Sequence, residues 1–114
     1  MKGNNPFLMG YVYLICDPGN DRFKIGVTRD LKSNRIKKLQ TGNSSELFIH
    51  TIYETEWPFR LESMLHKHFG TKRVLNEWFN LNMEDLSGFV DTCNLLNDNI
   101  RVLSENPFFA KDLK

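Results

Sequence analysis

The chain has 114 residues, 40% of them apolar and 12% aromatic, and a formal net charge of +1. That length fits one domain able to bury roughly two-thirds of its unfolded surface. No apolar run approaches the roughly 20 residues of a membrane span, and the near-zero charge is not that of a uniformly basic nucleic-acid binder.

Residues 1–9 read as a loose lead-in without the apolar core or small-residue cleavage site of a signal peptide. The two cysteines, Cys16 and Cys93, match no metal spacing and are too few for a disulfide scaffold. They read as reduced thiols in an intracellular protein.

Gly10-Tyr11-Val12-Tyr13-Leu14-Ile15 and Phe23-Lys24-Ile25-Gly26-Val27-Thr28 flank the turn-like Asp17-Pro18-Gly19-Asn20. Two β-branched and aromatic runs around such a turn read as a β-hairpin. Alternate residues of a strand share a face. Tyr11, Tyr13 and Ile15 therefore share one, as do Lys24, Gly26 and Thr28. If Cys16 pairs with Asp21, Tyr13 stands opposite Lys24 with Cβ atoms roughly 5 Å apart. A phenol, an ammonium and a glycine that leaves room for a ligand then share one patch of sheet.

Between Arg29 and Lys38 lie five cations (Arg29, Lys32, Arg35, Lys37, Lys38) and one anion, Asp30. Asp30 can cap a helix over residues 31–40, ended by Gly42-Asn43. On a helical wheel, Leu31 and Leu39 fall about 40° to either side of Arg35. Arg35 thus lies in the apolar arc, where an unpaired charge is costly. It is either a snorkelling or salt-bridged arginine, or a phosphate clamp that uses its planar fork. The cation cluster is either a solvated face or a patch able to neutralise phosphates.

Residues 46–54 read as a third strand, apolar on both faces and so open to cover from both sides; His50 is structural or at its solvent edge. Thr55 starts the next helix, with Pro58 in its first turn and Gly70 at its end. Leu61, Met64, Leu65 and Phe69 form its apolar arc, and His68 falls among them as a core histidine. Glu62 sits at the border of the arc with His66 one turn on. The pair is either an ordinary i,i+4 couple or part of a site at the helix edge. His66 and His68 point about 160° apart, which is unsuited to a zinc site.

Residues 77–81 read as a short aromatic connector or strand. Asn82, with Asp85 three residues on, caps one long helix with the stripe Met83, Leu86, Phe89, Val90, Cys93, Leu96, Ile100 and Leu103. Pro107 ends it, and Phe108-Phe109-Ala110 form an apolar tail. The fold class is α+β: a small three-stranded antiparallel sheet flanked by helices, ββαβα plus a C-terminal helix, in one domain over 1–114 with its motif-bearing core at about 10–90.

The motifs then resemble a known family. Tyr11-Val12-Tyr13 and Lys24-Ile25-Gly26 stand where the GIY-YIG nuclease superfamily has its two signature motifs. The lysine in the second motif is similar to a small, phage- and fungus-associated branch. Residues 34–39, 60–66 and 77–79 match that branch in type and order. The wider family more often has tyrosine at the position of Lys24.

The resemblance implies a DNA endonuclease that hydrolyses phosphodiester bonds. Tyr13 would be the general base, Glu62 the single protein ligand to Mg²⁺ (or Mn²⁺), and Arg35 the contact to the scissile phosphate. A carboxylate shared with substrate and water suits Mg²⁺. A free tyrosine titrates near pH 10, so Lys24 and Arg35 would have to poise it. Tyr11 would orient water or phosphate, and His66 would relay a proton or bind phosphate. Arg29, Lys32, Lys38, Gly26 and Asn80 would meet the substrate. DNA is the implied partner, with specificity left to a DNA-targeting protein or a homodimer, and with no membrane. Two other readings stand beside it: a catalytically inactive nucleic-acid-binding module of the same fold, and a small interaction domain with chance motif matches.

Overall fold

A computed structural model describes residues 9–31 and 46–106. The expected helix over residues 31–40, with Lys32, Arg35 and Lys38, lies outside the described residues, as does the apolar tail.

Strand β1 (Gly10–Asp17) turns back into β2 (Arg22–Thr28) through a 3₁₀ turn at Pro18–Asn20. The register differs from the expected one. Asp17 pairs with Arg22 and Tyr13 with Gly26, while Lys24 pairs with Ile15. The loop keeps four residues but moves one along, to 18–21, because the Asp17 carboxylate ties it from inside. It accepts hydrogen bonds from Asn20 Nδ2 at 2.9 Å and Arg22 Nε at 3.0 Å, and Asp21 takes the left-handed conformation at φ 52°. The slip is two residues, so the expected sharing of faces survives.

Strand β3 (Phe48–Thr55) pairs with the free side of β1. It is an edge strand, and Phe48, Ile49 and Ile52 are exposed; among the described residues the expected cover of both faces is not completed. Thr55 ends this strand and does not start the helix. Its hydroxyl accepts from Trp57 N–H at 3.0 Å and donates to Asn97 Oδ1 at 2.5 Å. Helix α1 (Pro58–His68) begins with proline at its first position, where the missing N–H costs nothing. Leu61, Leu65 and Phe69 enter the core, but His68 is exposed at the last turn with its ring against the edge of Phe69.

Among the described residues the sheet has five strands, where three were expected. β4 (Arg73–Leu75) and β5 (Trp78–Phe79) form a small antiparallel pair, and the order is β3-β1-β2-β5-β4. Asn76, at φ 52°, makes their turn; asparagine tolerates this region better than most residues. β5 pairs only with Phe23 and Lys24 of β2, which leaves the rest of that strand's edge open to other partners.

The expected long helix is broken in two: α2 (Met83–Ser87) and α3 (Phe89–Ser104). The capping box at Asn82 and Asp85 forms as read. Gly88 separates the helices, and Met83 and Val90 of the expected stripe are exposed. Phe89, Cys93 and Ile100 join Val12, Leu14, Phe23, Ile25, Leu61, Leu65 and Phe79 in one core on the helical side of the sheet. Burial pushes the Cys93 thiol up to about 12. Cys16 is half-buried, and its thiol is raised by burial first and then by Asp17 and Asp21. No helix among the described residues is long and apolar enough to cross a membrane.

Candidate functional site

Tyr13 and Gly26 face each other across the hairpin on the side of the sheet away from the helical core. A Cβ added to Gly26 would lie 2.4 Å from both Cζ and Oη of Tyr13. The space over Gly26 is therefore filled by the phenol ring, which is only 2% exposed. The glycine seats the tyrosine; it does not leave an open space for a ligand. Tyr11, half-buried, pairs with Thr28 one step along the same face.

One residue before Gly26, the carbonyl of Ile25 accepts a hydrogen bond from His66 Nε2 at 2.9 Å. The Ile25 N–H bonds the Glu77 carbonyl at 3.1 Å, beside the short β5. His66 thus caps the strand where the sheet partner stops. A carbonyl can only accept, so Nε2 carries the hydrogen, and in the neutral ring Nδ1 is left as an acceptor. The ring also tilts against Phe79, with centroids 5.2 Å apart. Glu62 Oε2 stands 4.0 Å from the same Nε2, and both side chains are 17% exposed.

Lys24 Nζ bonds Glu77 Oε1 at 2.9 Å and lies 5.7 Å from the centre of the Trp78 ring. The adjacency of Lys24 and Tyr13 expected from the sequence is replaced by a diagonal relation, in which Cβ atoms are about 7–8 Å apart. Arg22 lies over the same indole at 4.2 Å. Arg29 reaches over Phe59 at 5.2 Å, in the turn of α1 that precedes Glu62.

Glu62, Ser63, His66, Lys67, Arg73, Asn76 and Glu77 line an open depression of about 580 Å³. Of the sequence-derived candidates it gathers Glu62 and His66, with Lys24 reaching its wall through Glu77. Tyr13, Tyr11 and Gly26 lie on the neighbouring strands β1 and β2, on the face away from the helical core. Asn80 is exposed and donates its N–H to the Lys72 carbonyl at 2.8 Å, outside this lining. Sequence reading missed Lys67, Arg73, Asn76 and Glu77. The Leu75-Asn76-Glu77-Trp78 stretch carried the signal, an asparagine between two β-prone pairs.

The donor set decides what cation would fit. Among the described residues no three His, Cys, Asp or Glu side chains gather as a metal cage. A half-buried carboxylate beside an open, polar depression fits a hard ion that keeps its waters and shares substrate oxygens.

One comparison with known proteins finds a shared domain over most of the chain. The family model of the T5orf172 domain matches residues 10–94. No curated protein and no solved structure gives a match.

Proposed function

Because the chain belongs to the T5orf172 domain family, we propose that it is a metal-dependent DNA endonuclease of the GIY-YIG type. Membership of a phage-type family associated with nucleases supports the reading. The observation that carries it is the joining of both motif halves across the hairpin at the position of β2 that the helical Glu62–His66 pair reaches. Tyr13 is seated on Gly26, and the adjoining Ile25 carbonyl holds His66, beside Glu62.

In this reading Tyr13, as its phenolate, takes the proton of the attacking water and becomes the phenol, while the phosphorus–oxygen bond to the leaving oxygen breaks. Its phenol is locked by Gly26, so it needs no reorganisation to act, which is where positioned groups gain most. Glu62 is the protein ligand to Mg²⁺ or Mn²⁺. The bound ion supplies charge stabilisation for the dianionic transition state. His66 donates through Nε2 to Ile25, so its Nδ1 is the atom able to take a proton. A phosphate entering the depression competes with Glu77 for the Lys24 ammonium. Tyr11 orients water or phosphate. Arg35 serves as the clamp on the scissile phosphate, and Arg29, Lys32 and Lys38 neutralise its neighbours.

Incubation of supercoiled plasmid with Mg²⁺ tests the reading. The wild-type protein is expected to nick it, and Glu62→Ala and Tyr13→Phe to lose at least 100-fold in rate, about 2.7 kcal/mol. Salt-sensitive DNA binding without any nicking would replace the nuclease by a binding module of the same fold.

A further inference from the structure

Two sets of cations stand out among the described residues. Arg22, Lys24, Lys72 and Arg101 are each ion-paired, with Asp17, Glu77, Asp85 and Asp98. Arg60, Lys67 and Arg73 are exposed and form no ion pair among the described residues. These three lie together. Arg60, Ser63 and Lys67 occupy one stripe of α1 at i, i+3 and i+7, and Lys67 and Arg73 both line the depression that holds Glu62.

We infer that Arg60, Lys67 and Arg73 form a track for the sugar-phosphate backbone of the DNA strand, leading away from the Glu62–His66 site. The inference rests on the proposed nuclease reading for its direction but not for its chemistry. Seven residues of helix separate Arg60 from Lys67 by about 10 Å along the axis. Successive phosphates of one strand rise about 3.4 Å along the duplex axis and are farther apart along the strand itself, so the two cations reach from one phosphate to a near neighbour. Arg73 is held ready across the depression, its guanidinium 5.3 Å from the centre of the buried Phe79 ring.

The carboxylates nearby do not cancel these charges. Glu77 is already bonded to Lys24, and Glu62 is the residue assigned to the cation. A polyanion therefore meets three cations that need break no ion pair to receive it. An acidic protein would match the charge but not the regular spacing along one helix.

The test measures binding of a fluorescein-labelled 20-bp duplex by anisotropy, with Ca²⁺ or EDTA in place of Mg²⁺ so that nothing is cut. Dissociation constants are taken across a salt series for the full chain and for Arg60→Gln, Lys67→Gln, Arg73→Gln and their combination. The slope of log K against log salt is expected to fall by about 0.9 for each lost phosphate contact. That is about 2.7 for the triple variant. Arg101→Gln, on α3, is expected to leave the slope alone. An unchanged slope in the triple variant, or an equal fall in Arg101→Gln, overturns the track. A fall in slope by a protein that never nicks plasmid in Mg²⁺ upholds the track and removes the nuclease. Nicking with an unchanged slope does the reverse.

Discussion

Gly26→Ala isolates the contact on which the proposed base depends. In an ordinary strand interior, alanine in place of glycine stabilises by about 0.5–1 kcal/mol. Here the new Cβ would lie 2.4 Å from Cζ and Oη of Tyr13 and 2.6 Å from Cε1. The ring is nearly fully buried and cannot simply swing out. Overpacking of this kind costs about 1–3 kcal/mol, so the sign of the effect is reversed. For a chain of this length, that is a fall in Tm of about 4–12 °C. The assay is a double-mutant cycle by thermal and urea unfolding in three backgrounds. Tyr13→Phe keeps Cζ and Cε1 and is expected to leave the penalty in place. Tyr13→Leu lacks both atoms and is expected to remove it, giving a coupling of at least about 1 kcal/mol. Stabilisation by Gly26→Ala, or an equal penalty in the Tyr13→Leu background, would refute the contact.

Other expectations follow from the same contacts. Asp17→Ala removes a buried acceptor of two hydrogen bonds and is expected to cost about 2–4 kcal/mol in urea unfolding. Glu77→Gln breaks an ion pair whose acid is 43% exposed, and is expected to change stability by less than about 1 kcal/mol. Burial raises the Asp85 carboxyl, but hydrogen bonds from Lys72 and Asn82 and the Lys72 and His68 charges outweigh it, holding the group below its ordinary value. Its stabilisation is therefore present above the unfolded value near pH 4 and is lost as pH falls through the folded one. Asp85→Asn is expected to flatten the stability profile in that acid window. With its thiol near 12, Cys93 is thiolate in only about one molecule in 10⁴ at pH 8. Iodoacetamide is expected to label it only after unfolding, as read by mass spectrometry.

The hairpin was legible because β-branched and aromatic residues flank a turn of Asp, Pro, Gly and Asn. Its register was not, since four-residue loops at 17–20 and at 18–21 draw on nearly the same turn residues. The choice fell to the Asp17 carboxylate, a tertiary effect hidden in the turn composition. The error was even in number, so Tyr13, Lys24 and Gly26 stayed on one face. β4 and β5, of three and two residues, are too short for periodicity to show. They exist because β2 offers an edge and Asn76 accepts a left-handed turn. His68 obeyed the helical wheel but sits in the last turn, where the core no longer covers it. The break at Gly88 was readable from the glycine itself, although the apolar spacing ran straight through it. For the depression, the Glu62–His66 couple was legible in its i,i+4 spacing, and the role proposed for it came from the family resemblance. Arg73 and Glu77 were not, because a strand pairing brings them there.

The central claim is that the Tyr13–Gly26 pair and the Glu62–His66 pair serve one cation-dependent site across the edge of β2. Paramagnetic broadening of amide resonances during a Mn²⁺ titration tests it most directly. Broadening is expected first at Ile25, Gly26, Glu62, His66 and Asn76, with Leu95 on α3 unaffected, and it is expected to vanish in Glu62→Gln. Broadening centred elsewhere, or unchanged in Glu62→Gln, would contradict the claim.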